Sequence, residues 1–316
     1  MIRLGLCCIF HEAPIRFRRT TAKYLLSLPD RKRRQYLAEI CIDNADALLS
    51  ALEFCAANGI GAFRINSQIL PVKTHPEAGY DLADLPGGRE IIARFKQCGR
   101  FCRQQGIRTS FHPDPFLVLS SPSPDVVRRS IEDLAYHAEV ADWVNADVIN
   151  IHGGGAYGDK PLALKRLAAV ITGLPDAVRA RLTLENDDRV YTPTDLLPVC
   201  RDTGVPLVYD VHHHRCLPDG QGIAETTEAA LATWDREPLF HLSSPVNGWN
   251  HADTRPHHDD IDPADLPTCW RDLSITLDLE AKAKEVAVLK FRRWMLANGL
   301  APWNAHLNQT RKHSCC

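Results

Sequence analysis

The sequence predicts an α/β fold, a single (β/α)8 TIM barrel with a metal site at the C-terminal ends of its strands, on three observations. Short apolar strands alternate with longer segments of helical periodicity. No low-complexity stretch or Pro/Gly/Ser-rich linker divides the chain. The first strand runs into LGLCCIF, without the Gly-rich phosphate turn that a doubly wound open sheet normally carries there.

In chain order, strands are expected at Ile2 to Leu6, Ala62 to Ile65, Arg108 to Phe111, Val148 to Ile151, Arg181 to Leu184, Leu207 to Tyr209, Leu239 to Leu242 and Ile275 to Leu279. The segments between them read as helices. In Ile40 to Ala57, for example, Ile42, Ala45, Leu48, Leu49 and Leu52 recur at three- and four-residue steps, and Val126 to Val144 behaves alike. Eight strands separated by helices is the period of a barrel. Residues 1–300 form the expected catalytic domain and residues 301–316 a flexible C-terminal tail.

At 316 residues and 45% hydrophobic content the chain can bury a large core, and a net charge of −2 excludes a globally basic nucleic-acid coat. The N-terminal apolar run in MIRLGLCCIF is too short for a signal peptide or a membrane span, so a cytoplasmic protein without membrane contact is expected; a monomer without organic cofactor is the accompanying expectation. Eleven scattered cysteines without a secretory signal read as reduced thiols, with Cys98 and Cys102 as small buried hydrophobes on one helix face.

A barrel builds its active site at the C-terminal ends of its strands. The third strand ends in SFHPD with His112, the fourth in NIHGGGAYGDK with His152, and the fifth in LTLENDDR with Glu185. VYDVHHHRC closes the sixth with Asp210 and a histidine run, FHLSSP the seventh with His241, and LDLEAKAKE the eighth with Glu280. One such residue alone is usually a capped or solvated group; six consecutive strand ends of ligand type form a constellation. Imidazoles mixed with carboxylates suit zinc, manganese or iron(II), and carboxylate oxygens can bridge ions. The donors exceed what one ion needs, so two or three divalent ions are expected. Closely spaced ions clamp both oxygens of an in-line displacement at phosphorus, which puts phosphodiester hydrolysis first. The rival is a barrel hydrolase or isomerase acting on a small sugar or phosphorylated substrate.

These motifs, in this order and with RPHHDDID and FRINSQILPVKTHP, resemble the UV damage endonuclease family from Arg3 to about Lys284. The family is related in fold to endonuclease IV and the xylose isomerase-like barrels. The resemblance implies a DNA repair endonuclease that cuts damaged double-stranded DNA on the 5′ side of UV photoproducts and some other lesions. It implies a manganese-type cluster, with zinc, cobalt and magnesium left open, held by His112, His152, Glu185, Asp210, His213, His241, His257 and Glu280. Glu185, Asp210 and Glu280 are the expected catalytic carboxylates. The family's second ligand in VYDVHHH lies three residues after the aspartate, which selects His213 and fits a tight loop; an Arg-x-His-x-Asp pattern selects His257 over His258. Related sites imply that Glu185 bridges two ions, His112 and His152 completing one and Asp210, His241 and Glu280 holding the second, while His213 and His257 serve a third.

Expected DNA contacts are Arg64 and His75 from the family's corresponding stretch, Phe116 as a stacking wedge, and Tyr157, Lys160, Lys282 and Lys284 near the rim. The glycines of Gly153 to Gly158 lack the Lys-Ser/Thr of a P-loop and are expected to let backbone approach the metal site or DNA. The run Arg31 to Arg34 reads as a solvated helix face. Departures from the family gather at the lesion-reading surface. Pro115 stands where well-described members place a glutamine, Leu6 and Phe10 where some have Tyr and Asn, and Leu239 where some carry a lysine.

Overall fold

The computed structural model describes residues 1–303. Strand β1 (Ile2–Cys7) pairs in parallel with β2 (Ala62–Ile65) on one side and, closing the ring, with β8 (Ile275–Leu279) on the other. Between them β3 (Arg108–Phe111), β4 (Ala146–His152), β5 (Leu182–Glu185), β6 (Leu207–Asp210) and β7 (Leu239–Leu242) follow in sequence order, every neighbouring pair parallel. The result is the eight-stranded (β/α) barrel that the alternation predicts.

Helices line the barrel between its strands. They are α1 (Ala22–Ser27) and α2 (Asp30–Ala57) after β1, α3 (Gly88–Gln105) after β2, and α4 (Pro124–Val144) after β3. Next come α5 (Lys160–Thr172) and α6 (Asp176–Arg179) after β4 and α7 (Pro193–Thr203) after β5. Then α8 (Val211–Cys216) and α9 (Ile223–Leu231) follow β6, and α10 (Lys284–Ala297) follows β8. Helix α2 starts at Asp30, well before the expected Ile40. Pro29 ends the preceding segment, and Asp30 in the first turn pairs with Arg33 at 2.6 Å and Arg34 at 2.9 Å, so part of the basic run is a solvated helix start.

Side chains alternate across the strands. Leu4, Leu6, Phe63, Ile149, Leu184 and Phe240 belong to the main core beneath the helices. The barrel interior is more polar. Near its N-terminal end Arg3 pairs with Glu237 at 2.7 Å and Arg108 with Asp147 at 2.9 Å, and an apolar cluster of Val148, Val208 and Leu239 packs on Trp234. A second set of polar groups gathers at the other end, where the strands terminate.

Three expectations need correction. The histidine run is a short helix, because the Asp210 side chain caps it by accepting the His213 backbone N–H at 2.8 Å. The folded body passes residue 300: Trp303 is fully buried, its backbone N–H reaches the Ile2 carbonyl at 2.8 Å, and Pro302 bridges to Ile2. The remainder of the expected tail, residues 304–316, lies outside the described residues. Leu6 and Phe10 are core residues, Phe10 packing edge-on to Phe54 at 5.3 Å, so those two departures concern packing rather than the site.

No described helix is long and apolar enough to cross a membrane. The nine cysteines among the described residues are free thiols; Cys98 and Cys102 lie in α3, where burial pushes the pKa of each up to about 12.

Candidate metal centre

The ends of β3 to β8 deliver ligand-type side chains to one rim. Glu185, the last residue of β5, is fully buried at its centre. Its Oε2 lies 2.9 Å from His112 Nε2 and accepts from Asn150 Nδ2, while Oε1 lies 3.0 Å from His241 Nδ1 and 3.4 Å from His213 Nδ1. His152 closes that side, its ring 5.0 Å from His112 and 5.8 Å from His213. Across the rim Glu280 follows β8, with Oε1 3.5 Å from His241 Nδ1 and Oε2 3.7 Å from His257 Nδ1.

Ligand atoms fall into three triples, each within 4.8 Å: His112, His152 and Glu185; Glu185, Asp210 and His213; Asp210, His241 and Glu280. Glu185 and Asp210 each belong to two triples, so their oxygens are placed to bridge. The first and third triples are the groupings that the resemblance implied, whereas His213 groups with Glu185 and Asp210 rather than in a separate site with His257. His152 Nδ1 and Asp210 Oδ2 are buried without a hydrogen-bond partner. Such atoms cost about 1–3 kcal/mol when left unpaired, and an imidazole–carboxylate donor set of this kind fits divalent cations.

The cluster sets its own charge state. Burial alone would raise the Glu185 carboxyl, but the imidazoles of His241, His152 and His112 hold it well below the usual carboxylate range. Burial opposes protonation of His241, yet Glu185 and Glu280 lift it to about 9; Asp210 and Glu185 likewise lift His213 well above normal. Burial, helped by His112 and His213, lowers His152 despite Glu185, which keeps that imidazole neutral and free to coordinate.

The three consecutive histidines divide by direction. His213 sits one helical turn after the capping Asp210, so both face the cluster. His214 turns into the body of the fold, between the Tyr209 hydroxyl at 2.7 Å and Asp219 Oδ1 at 2.9 Å. His212 is buried against Trp249 and His257, with Nε2 3.2 Å from the Arg255 carbonyl. His258 uses Nδ1 to accept the Asp260 N–H at 2.9 Å, which leaves His257 as the neighbour of Glu280.

The expected DNA-contact residues are less uniform. Phe116 is 88% exposed in the loop after β3. It borders a cavity of about 600 Å³ lined also by Gln68, Lys73, His75, Asp114 and Tyr136, beside the metal cluster rather than at it. A smaller cleft of about 310 Å³ opens on His152 and His213, walled by Pro115, Gly154 and Asp188. Gly154 has φ +85°, and a Cβ there would meet Ser120 Oγ at 2.6 Å, so the loop above the cleft requires glycine. Tyr157 and Lys282 are exposed on the rim, and Lys284 is half-buried. His75 Nδ1 accepts two backbone N–H groups of its own turn, and Lys160 pairs with Asp195 at 2.8 Å. Arg64, expected at DNA phosphate, is directed inward instead: its guanidinium binds Glu280 Oε1 at 2.6 Å with little exposure.

Two inward residues escaped the reading of strand ends. Asn150 holds Glu185, and Asp278 lies fully buried beneath Glu280. Their signal was the period of two: each stands two residues before a strand-end ligand and therefore shares its inward face. Asn186 also matters, accepting the Asp210 N–H at 3.0 Å and offering its carbonyl 2.9 Å from His213 Nδ1.

A family model described as UV-endonuclease UvdE matches residues 2–302. The UV DNA damage endonuclease of Bacillus velezensis is 34% identical, covering 94% of this chain and 96% of its own. That of Deinococcus radiodurans is also 34% identical, covering 92% and 94%. The crystal structure of SacUVDE matches with a TM-score of 0.85 and 25% identity over 95% of this chain and 100% of that one. Endonuclease IV from Thermus thermophilus shares the fold alone, at a TM-score of 0.57 and 17% identity over 93% of this chain and 98% of that one. With the match running from the first strand to the last described turn, the chain belongs to the UV-endonuclease UvdE family.

Proposed function

We propose that this protein is a metal-dependent repair endonuclease that hydrolyses the phosphodiester bond of damaged double-stranded DNA on the 5′ side of UV photoproducts or related lesions. The observation that carries the reading is the meeting of three ligand triples around Glu185 and Asp210 in a chain of this family. His112, His152 and Glu185 would hold one ion, Asp210, His241 and Glu280 a second, and Glu185, Asp210 and His213 a third, with His257 beside Glu280. Manganese suits this oxygen and imidazole set; zinc, cobalt and magnesium are the competitors. When bound, such ions supply an activated water and offset the charge that builds on the scissile phosphate.

The chain's own residues hold that arrangement in place. Asn150 fixes Glu185, Arg64 fixes Glu280, and Asn186 fixes Asp210 and His213. At the rim, Phe116 is free to stack into a gap left by a distorted or missing base. Its neighbour Pro115 offers no side-chain hydrogen bond, so stacking by Phe116 is the main way that this loop would sense a lesion. Tyr157, Lys282 and Lys284 would contact phosphates, while His75 and Lys160 would act through the loops that they brace. The protein works as a monomer without an organic cofactor.

The test is strand incision by the purified protein on end-labelled duplexes that are undamaged, UV-irradiated or abasic, with manganese or with chelator. The expected result is a manganese-dependent cut immediately 5′ to the lesion. No cut on any duplex, with metal confirmed bound, would transfer the site to a small-molecule substrate.

A further inference from the structure

Asp278 is the least explained group in the barrel. It is fully buried, and neither carboxylate oxygen has a hydrogen-bond partner. It stands in register between Gly5 of β1 and His241 of β7, one layer beneath Glu280. Gly5 makes the room: a Cβ there would lie 1.9 Å from Asp278 Oδ1, so any side chain at position 5 would evict the carboxylate from its place. On the other side Asp278 Oδ2 lies 3.9 Å from His241 Nε2, and that nitrogen is also buried without a partner. Two unpartnered buried polar groups thus face each other. The opposite nitrogen, His241 Nδ1, looks into the cluster, 3.0 Å from Glu185 and 3.5 Å from Glu280.

We propose that Asp278 is a positioning residue that acts through His241: it accepts the Nε2–H of that imidazole and so presents Nδ1, with its lone pair, to the metal cluster. The inference rests on the metal-site reading above. An imidazole coordinating through one nitrogen carries its proton on the other, and a carboxylate facing that N–H fixes both the tautomer and the ring orientation. Closing that 3.9 Å to hydrogen-bond distance takes only a small shift of the carboxylate or the ring. An unpartnered buried carboxylate is poor for folding, so its place here is explained by what it does for His241.

Asp278→Leu, close in size and apolar, separates the two roles. The expected result is a 10- to 100-fold loss of manganese affinity in chelator competition, together with an unchanged or higher melting temperature of the metal-free protein. Asp278→Asn retains an acceptor oxygen and should keep affinity nearer to the parent, while Gly5→Ala should lose it as Asp278→Leu does. Manganese affinity of a folded Asp278→Leu within twofold of the parent would overturn the proposal. If Asp278→Leu does not fold, the comparison passes to Asp278→Asn and Gly5→Ala, and equal affinities there would overturn it too. A parent protein that binds no manganese would instead count against the metal-site reading itself.

Discussion

Glu185 shows how one residue can organise a site: it touches or faces His112, His213, His241 and Asn150 at once. Glu185→Ala and Asp210→Ala each remove an oxygen donor shared by two triples, so incision should fall by more than ~100-fold while both variants stay folded by circular dichroism, Asp210→Ala losing at most the short α8 turn. Retained incision in either would sink the cluster assignment. Under the proposed function Phe116 serves lesion binding. Its stacking should contribute about 1–3 kcal/mol to lesion binding, so Phe116→Ala should weaken binding to lesion-bearing duplex more than to undamaged duplex. Equal losses on both would make Phe116 a packing residue. At this scale the sequence was legible where strand ends were legible: six ligand-type positions stood out because each follows an apolar run. Asp278 carried only its period-of-two position as a signal, and the inward turn of Arg64 carried none, because its partner Glu280 is distant in sequence.

Among the elements, α10 braces the rim. Glu285 in its first turn is almost fully buried and accepts the backbone N–H groups of His11, Glu12 and Ala13 at 2.7, 2.7 and 2.8 Å. These bonds pin the loop after β1 to the end of β8, beside Lys282 and Lys284. Glu285→Ala leaves three amides without their acceptor and should cost about 3 kcal/mol, read from the denaturant midpoint. A loss below ~0.5 kcal/mol would mean that the loop finds other partners. Helix α8 is the element that the sequence concealed. Its helical nature depends on Asp210 capping the turn, and an aspartate that can also serve a metal does not announce which of its roles shapes the backbone.

At the scale of the whole molecule, the cluster couples charge to stability. His241 has its folded pKa raised from 6.5 to about 9, so in the metal-free protein it contributes stability that is fully present below 6.5 and lost as pH rises through about 9. Glu185 has the opposite sign: held well below 4.5, its contribution is present above 4.5 and lost on acidification. Through His241, metal-free protein should melt progressively lower from about pH 6.5 towards pH 9, while the buried imidazoles of His137, His152 and His212, lowered chiefly by burial, oppose any gain on acidification below 6.5. Saturating manganese should remove that alkaline decline, since the ion takes the place of the proton. Thermal unfolding across this range, with chelator and with manganese, checks both signs. A metal-free melting temperature that rises from about pH 6.5 to 9 would contradict the first.

The amino-acid sequence by itself determined the barrel, the rim on which the chemistry sits and the residue types gathered there, because apolar periodicity and strand-end position are local properties of the chain. Tertiary structure alone decided which oxygens are shared, that Arg64 serves Glu280, that His214 and His212 turn away from the cluster, and that Trp303 belongs to the folded body. Several of those outcomes join segments distant in sequence. Only when β1 meets β8 do Gly5, Asp278 and His241 become neighbours, and no pattern within a single strand encodes that meeting.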